Sequence, residues 1–146
     1  MNGKALSIIA VIIVVIAGWY LFKGGAPANA PTTTTETPAG TTVTYTDQGF
    51  SPASVTIPVG GTVTFANQSS KKMWIGSDPH PTHEWYDGTT KDAHCAPGYS
   101  DSSPFDECSA NNSFTFTFTK AGQWGYHNHA SEDDRGTIVV TEDAPI

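Results

Sequence analysis

The stretch GQWGYHNHASEDDRGTIVV, residues 122–140, decides how the rest of the chain is read. Its end, GTIVV, is dense in β-branched residues and reads as a closing strand. Its first half carries two histidines, His127 and His129, spaced two apart. On a strand, residues two apart point to the same side, so this pair presents two imidazoles side by side. Between the halves, SEDDR (131–135) reads as a solvated acidic loop, with an ion site as the alternative.

Upstream the same period recurs. Apolar residues alternate as Val43 and Tyr45 in TVTYT, Val55, Ile57 and Val59 in SVTIPV, Val63 and Phe65 in TVTFAN, and Phe114, Phe116 and Phe118 in SFTFTFT. That is the β period, with one buried face per strand. The turn signals DQG, VGG, NQSS and KAGQ separate the runs. About six or seven short strands in about 100 residues predict an all-β sandwich or small barrel, with the phenylalanines as core. Residues 76–112 break this rhythm and show no strand pattern. A long irregular segment in a compact domain is usually functional or disordered. This one holds His80, His83 and His94 and both cysteines, Cys95 and Cys108.

The N-terminal part is different in kind. ALSIIAVIIVVIAGWYLF, residues 5–22, carries no charge and is flanked by Lys4 and Lys23. As a helix it spans about 27 Å, close to the thickness of a bilayer's hydrocarbon. Residues 1–23 are therefore expected to be a single transmembrane anchor, or alternatively a cleaved signal peptide. Residues 24–41, rich in Pro, Thr, Ala and Gly, read as a tether. Residues 42–142 form the folded domain, expected on the extracytoplasmic side. There two isolated cysteines read as one disulfide, with a thiolate ligand or a redox pair as the alternative. A net charge of −7 with only 7 Lys and Arg excludes a nucleic-acid partner.

Two stretches together, GFSPASVTIPVGGTVTFANQS (49–69) and FTFTKAGQWGYHNH…DRGTIVV (116–140), resemble the cupredoxins of the plastocyanin and amicyanin type. The resemblance implies a Greek-key β-sandwich. It also implies a blue copper site built from His, Cys, His and often Met. In this sequence those positions fall at Met73, Asn128, near Ser131 and near Asp134, so the usual ligand set is missing and no blue centre is expected. The loop motif DPHPTH (78–83) and the late YHNH (126–129) further resemble a membrane-anchored bacterial branch of cupredoxin-like proteins. That likeness implies that His80, His83, His127 and His129 act together.

Converging imidazoles suit copper, with zinc as the alternative metal. In the ordinary fold Tyr126 and Asn128 would face the core, and His127 and His129 would face outward unless the strand bulges. The metal is then expected beside the usual position, under the long loop. Met73 reads either as a soft axial contact or as packing against Trp74, and His94 as a loop residue or an added ligand. Asp78 and Glu84 read as carboxylates that orient imidazoles, or as solvated groups.

The function expected is a membrane-tethered copper-binding protein, for copper handling or electron transfer with a protein partner that the sequence does not identify. The alternative is a metal-free interaction module of the same fold. The chain shows no nucleophile–base arrangement for hydrolysis, so an enzyme is the weaker expectation.

Overall fold

The computed structural model describes residues 40–101 and 103–142. The expected anchor and nearly all of the tether lie outside the described residues.

The alternating runs become strands: β1 (Thr41–Thr46), β3 (Ser54–Pro58), β4 (Thr62–Asn67), β6 (Ser113–Thr117), β7 (Gly122–Asn128) and β8 (Ser131–Thr141). Two three-residue strands, β2 (Gly49–Ser51) and β5 (Ile75–Ser77), and a one-turn helix, α1 (Lys91–His94), complete the domain. They make two four-stranded sheets, β2-β1-β4-β6 and β3-β8-β7-β5. β1 pairs in parallel with β4 and β3 with β8, and every other pairing is antiparallel. This is the all-β sandwich expected, with eight strands rather than six or seven. The two extra strands are too short for a period of two to declare itself.

The inner faces meet in an aromatic core. Tyr45, Phe65, Phe118 and Tyr126 are wholly buried, and Phe116 nearly so. The threonines between them face water: Thr62 and Thr117, and Thr64 and Thr115, pair hydroxyl to hydroxyl across β4 and β6 at 3.1 Å. The first sheet thus has one wet face, which is why its strands read so cleanly.

The second sheet is wet along β3 but covered where β7 meets β5, because there the irregular segment is laid over its outer face and pinned into the core. Tyr86 and Phe105 are buried at 3% and 0% exposure, and the Phe105 ring lies 5.0 Å from Phe116 and 4.8 Å from Phe118. Burying a side chain of this size stabilises by about 1.5–3 kcal/mol. Around Phe105 the chain runs as a short extension of the sheet. The Ser77 amide donates to the Phe105 carbonyl (2.9 Å), the Glu107 amide donates to that of Ile75 (2.8 Å), and Gly76 bridges Asp106. Consecutive residues of such an extended stretch point opposite ways. Phe105 therefore enters the core while Asp106 emerges on the outer face.

Candidate metal centre

The centre is built on one row across the second sheet. Arg135 on β8 stands opposite His127 on β7, His127 opposite Gly76 on β5, and Gly76 opposite Asp106. Residues directly opposite share a face. Since neighbouring Tyr126 fills the core, the row lies on the outer side. His127 is nonetheless wholly buried, because DPHPTH folds back over it. The Asp78 amide donates to the Gly125 carbonyl (3.0 Å), the His83 amide to that of Pro79 (2.8 Å), and the Ser77 hydroxyl to that of His83 (2.5 Å). These bonds hold His83 at φ 57°, a left-handed conformation uncommon for a residue with a side chain. Its ring lies directly on Gly76, where a Cβ would overlap it.

Four imidazoles converge there. His83 Nε2 is 3.1 Å from His127 Nε2 and 2.9 Å from His129 Nδ1. Ring centroids are 4.7 Å apart for His83 and His129, and 4.9 Å for His80 and His129. The ligand nitrogens of His80, His127 and His129 lie within 4.8 Å of one another. Two imidazole nitrogens sharing one ion at about 2.0–2.1 Å would be about 3.3–4.2 Å apart. The His83 contacts are slightly shorter than that range, and the nitrogens of the other three lie within 4.8 Å of one another. The structure thus brings together all four histidines singled out from sequence.

Carboxylates set the direction of three rings. Asp106 faces Nδ1 of His83, Asp78 Oδ1 lies 3.1 Å from Nδ1 of His127, and Glu132 Oε2 lies 2.9 Å from Nδ1 of His80. Burial alone would raise the Asp106 carboxyl, but bonds from His83, Trp74, His94 and the Cys108 amide overcome it and hold it at about 2. The bond from His127 pulls Asp78 below the usual range against the effect of burial, with help from Arg135, whose guanidinium donates to Asp78 Oδ1 at 2.8 Å. Ionised carboxylates only accept. Nδ1 of both His83 and His127 must therefore carry the hydrogen, and each Nε2 turns a lone pair toward the other at 3.1 Å. Two facing lone pairs at that distance repel unless a cation, a proton or a metal ion, sits between them. Neither His127 nor His129 is a good seat for that proton: burial holds His127 below its ordinary value despite the Asp78 bond, and burial with the charges of His83 and His80 takes His129 down to about 4.

Of the remaining candidates, Asp78 takes the orienting role, whereas Glu84 is exposed. SEDDR is not wholly solvated, since Glu132 pairs with His80. Met73 is wholly buried in the apolar core cluster. His94 is held away from the four, with Nε2 3.0 Å from Asp106 Oδ2 and Nδ1 3.1 Å from the Thr89 carbonyl. Asn128 acts as a strut: its carbonyl accepts from the Trp74 and Ala130 amides (3.0 and 3.1 Å) and its amide donates to the Lys72 carbonyl (2.8 Å). The ladder slips between His127 and Asn128, the kind of irregularity that ends regular pairing, and His129 follows just beyond the strand's end.

Cys95 and Cys108 form a disulfide, so neither is free as a thiolate. With His94 and Asp106 they make a second group of close donor atoms. Its sulfurs are bonded to each other, and the Asp106 oxygens already accept four donors. Sequence reading missed Asp106 and Gly76. Nothing in FDEC (105–108) marks its aspartate, and only the pairing of Gly76 with both His127 and Asp106 reveals the glycine's use.

No protein-family model matches the sequence, and no curated protein does. Among solved structures the chain is similar to a Cu-containing nitrite reductase from Thermus scotoductus SA-01 (21% identity, TM-score 0.50), over 75% of this chain and 23% of that one. The domain thus spans under a quarter of that reductase chain. It is also similar to a purple cupredoxin from Nitrosopumilus maritimus (19%, 0.46; 69% and 99% covered) and to plastocyanin from Dryopteris crassirhizoma (21%, 0.48; 68% and 99%). At such identities the likeness is one of fold: the domain has a cupredoxin-like fold, as its sequence motifs implied, and both its cysteines are in the disulfide rather than free for a blue copper site.

Proposed function

We propose that this domain binds one copper ion through His80, His83, His127 and His129, outside a membrane to which residues 5–22 tether it, and serves in copper handling or electron transfer. The observation that carries this reading is the pair of Nε2 atoms 3.1 Å apart, with each ring fixed by a carboxylate behind it. Carboxylate–imidazole pairs of this kind orient metal-binding histidines and raise their basicity. Copper stands highest for nitrogen donors in the divalent series, and the fold is cupredoxin-like. Bound copper would supply one-electron chemistry. The chain's own part is to present neutral imidazoles, to fix their direction and to limit water.

The metal-free alternative draws on the 2.9 Å contact of His129 Nδ1 with His83 Nε2, which is also a good hydrogen bond. With His83 neutral, it leaves the His83–His127 contact without a proton to share.

The test is to load the full chain in detergent with Cu(II), remove the excess, and record stoichiometry with EPR and visible spectra. One copper per chain, with nitrogen hyperfine splitting and no intense blue band, is the expected result. A blue band would mean that sulfur reaches the metal. Loss of all copper on washing would discard the reading in favour of the metal-free module.

A further inference from the structure

Asp106 is where two parts of the molecule meet. From the histidine site it accepts His83 Nδ1 and, at 2.8 Å, the indole Nε1 of Trp74, whose ring lies 4.4 Å from that of His129. From the other side it accepts His94 Nε2 at 3.0 Å and the Cys108 amide at 2.7 Å. His94 immediately precedes Cys95, and Cys95 is bonded to Cys108. Cys108 itself sits at φ 56°, in the left-handed region that residues with side chains seldom occupy. In that turn its amide is aimed at Asp106. The disulfide therefore ties down the sources of two of the four hydrogen bonds on a carboxylate that is itself fully buried.

We infer that the Cys95–Cys108 disulfide is a positioning element of the copper site, acting through Asp106 on His83. The inference rests on the copper reading above. Opening the disulfide takes two electrons and two protons, supplied by a dithiol that leaves as its own disulfide. The Cys108 turn is then no longer held, Asp106 loses support on that side, and the His83 ring loses its fixed direction. Because binding linkage is reciprocal, bound copper in turn protects the disulfide.

The experiment compares the full-length protein with C95A/C108A, D106N and the combined variant. Copper affinity is read by competition with a chromophoric chelator, and the metal-free imidazoles by 15N NMR. Loss of a carboxylate behind a ligand histidine typically weakens metal binding about 10–100-fold, so D106N should fall in that range. C95A/C108A should lose about tenfold, and the combined variant should bind no more weakly than D106N alone. In the metal-free protein the His83 Nδ1–H signature, sharp in the parent, should broaden or vanish in C95A/C108A and after dithiol treatment of the parent.

If C95A/C108A fails to fold, C95A/C108G replaces it, because glycine adopts the left-handed turn freely. That variant lacks the disulfide as the opened parent does, so it should also lose about tenfold in affinity. Parent-like affinity in the disulfide variants, additive losses, or an unchanged His83 signature would overturn the inference while leaving the copper site standing. A parent chain that binds no copper would overturn the site itself. The NMR comparison would then still report whether the disulfide positions His83.

Discussion

Gly76→Ala is the sharpest single test of the site's geometry. The added methyl would point to the outer face, between His127 and Asp106, into the space that the His83 ring fills. The ring cannot step aside freely. Its Nδ1 is held by Asp106, its carbonyl by Ser77 and its amide by the Pro79 carbonyl. In an ordinary strand, replacing glycine by alanine gains about 0.5–1 kcal/mol. Here over-packing of about 1–3 kcal/mol should outweigh that gain, so the metal-free domain should unfold at lower urea than the parent. Where the ring yields to the methyl instead, the strain is met on returning His83 to the ligand set, and a cost of about 1.4–2.8 kcal/mol there corresponds to a 10–100-fold loss of copper affinity. Gly125→Ala is the matched control on the same face. Its methyl meets the Asp78 carboxylate, which is half-buried and can rotate, so stability should fall less and affinity only through His127. Urea unfolding of the metal-free protein and chelator competition measure both quantities. A Gly76→Ala protein with parent stability and parent affinity would mean that His83 does not lie on Gly76, and the site drawn here would be wrong.

Phe105→Ala should destabilise the domain by about 3–5 kcal/mol, far more than expected of a loop residue, and chemical unfolding will read it directly. His127→Ala should nearly abolish copper binding, whereas His80→Ala should weaken it less, because His80 is 27% exposed and oriented by a largely exposed Glu132; chelator competition separates the two. The metal-free domain should lose stability as pH falls from 6.5 toward 4. His129 titrates at about 4 in the fold against 6.5 ordinarily, and His127 is lowered too, so over that window the unfolded chain binds protons that the folded one does not. Asp106, at about 2 against 3.8, adds a loss of the same sign at lower pH. Urea midpoints at pH 7 and pH 5 with a chelator present check this, and a midpoint that rises on acidification contradicts it.

The sandwich was legible because its strands carry contrast. Phe116 and Phe118 enter the core while Thr115 and Thr117 meet water, and a period of two records that difference. β5 was not legible, because Ile75, Gly76 and Ser77 are buried on both faces, and a three-residue strand without a wet side leaves no alternation. The irregular segment misled for a related reason. Phe105 stands alone among polar residues and Tyr86 beside an exposed Trp85, and no period announces that Tyr86 and Phe105 are core. Where that segment goes is decided by shape complementarity between a plug and a cavity, which is a tertiary quantity.

The site divides along the same line. Its ligand candidates stood out because histidines at short spacing are rare and chemically specific. The groups that direct them did not, since aspartate is common and its use depends on what faces it. The offset of the proposed site from the copper position that the cupredoxin resemblance implies follows from Asn128 and His129. Asn128, where the resemblance places the thiolate, hydrogen-bonds three backbone groups and so joins residues 72–74 to the β7–β8 turn. Past the slip in the ladder and the strand's end at Asn128, His129 lies on the side where His127 already points. A donor set on that face would be open to water without a cover, and the cover is anchored by Phe105, whose neighbour Asp106 fixes His83. One two-residue step in an extended stretch thus fastens the lid to the core and the ligand to its direction. This is why Phe105→Ala should weaken copper binding as well as folding, although its ring lies on the opposite side of the sheet from the histidines.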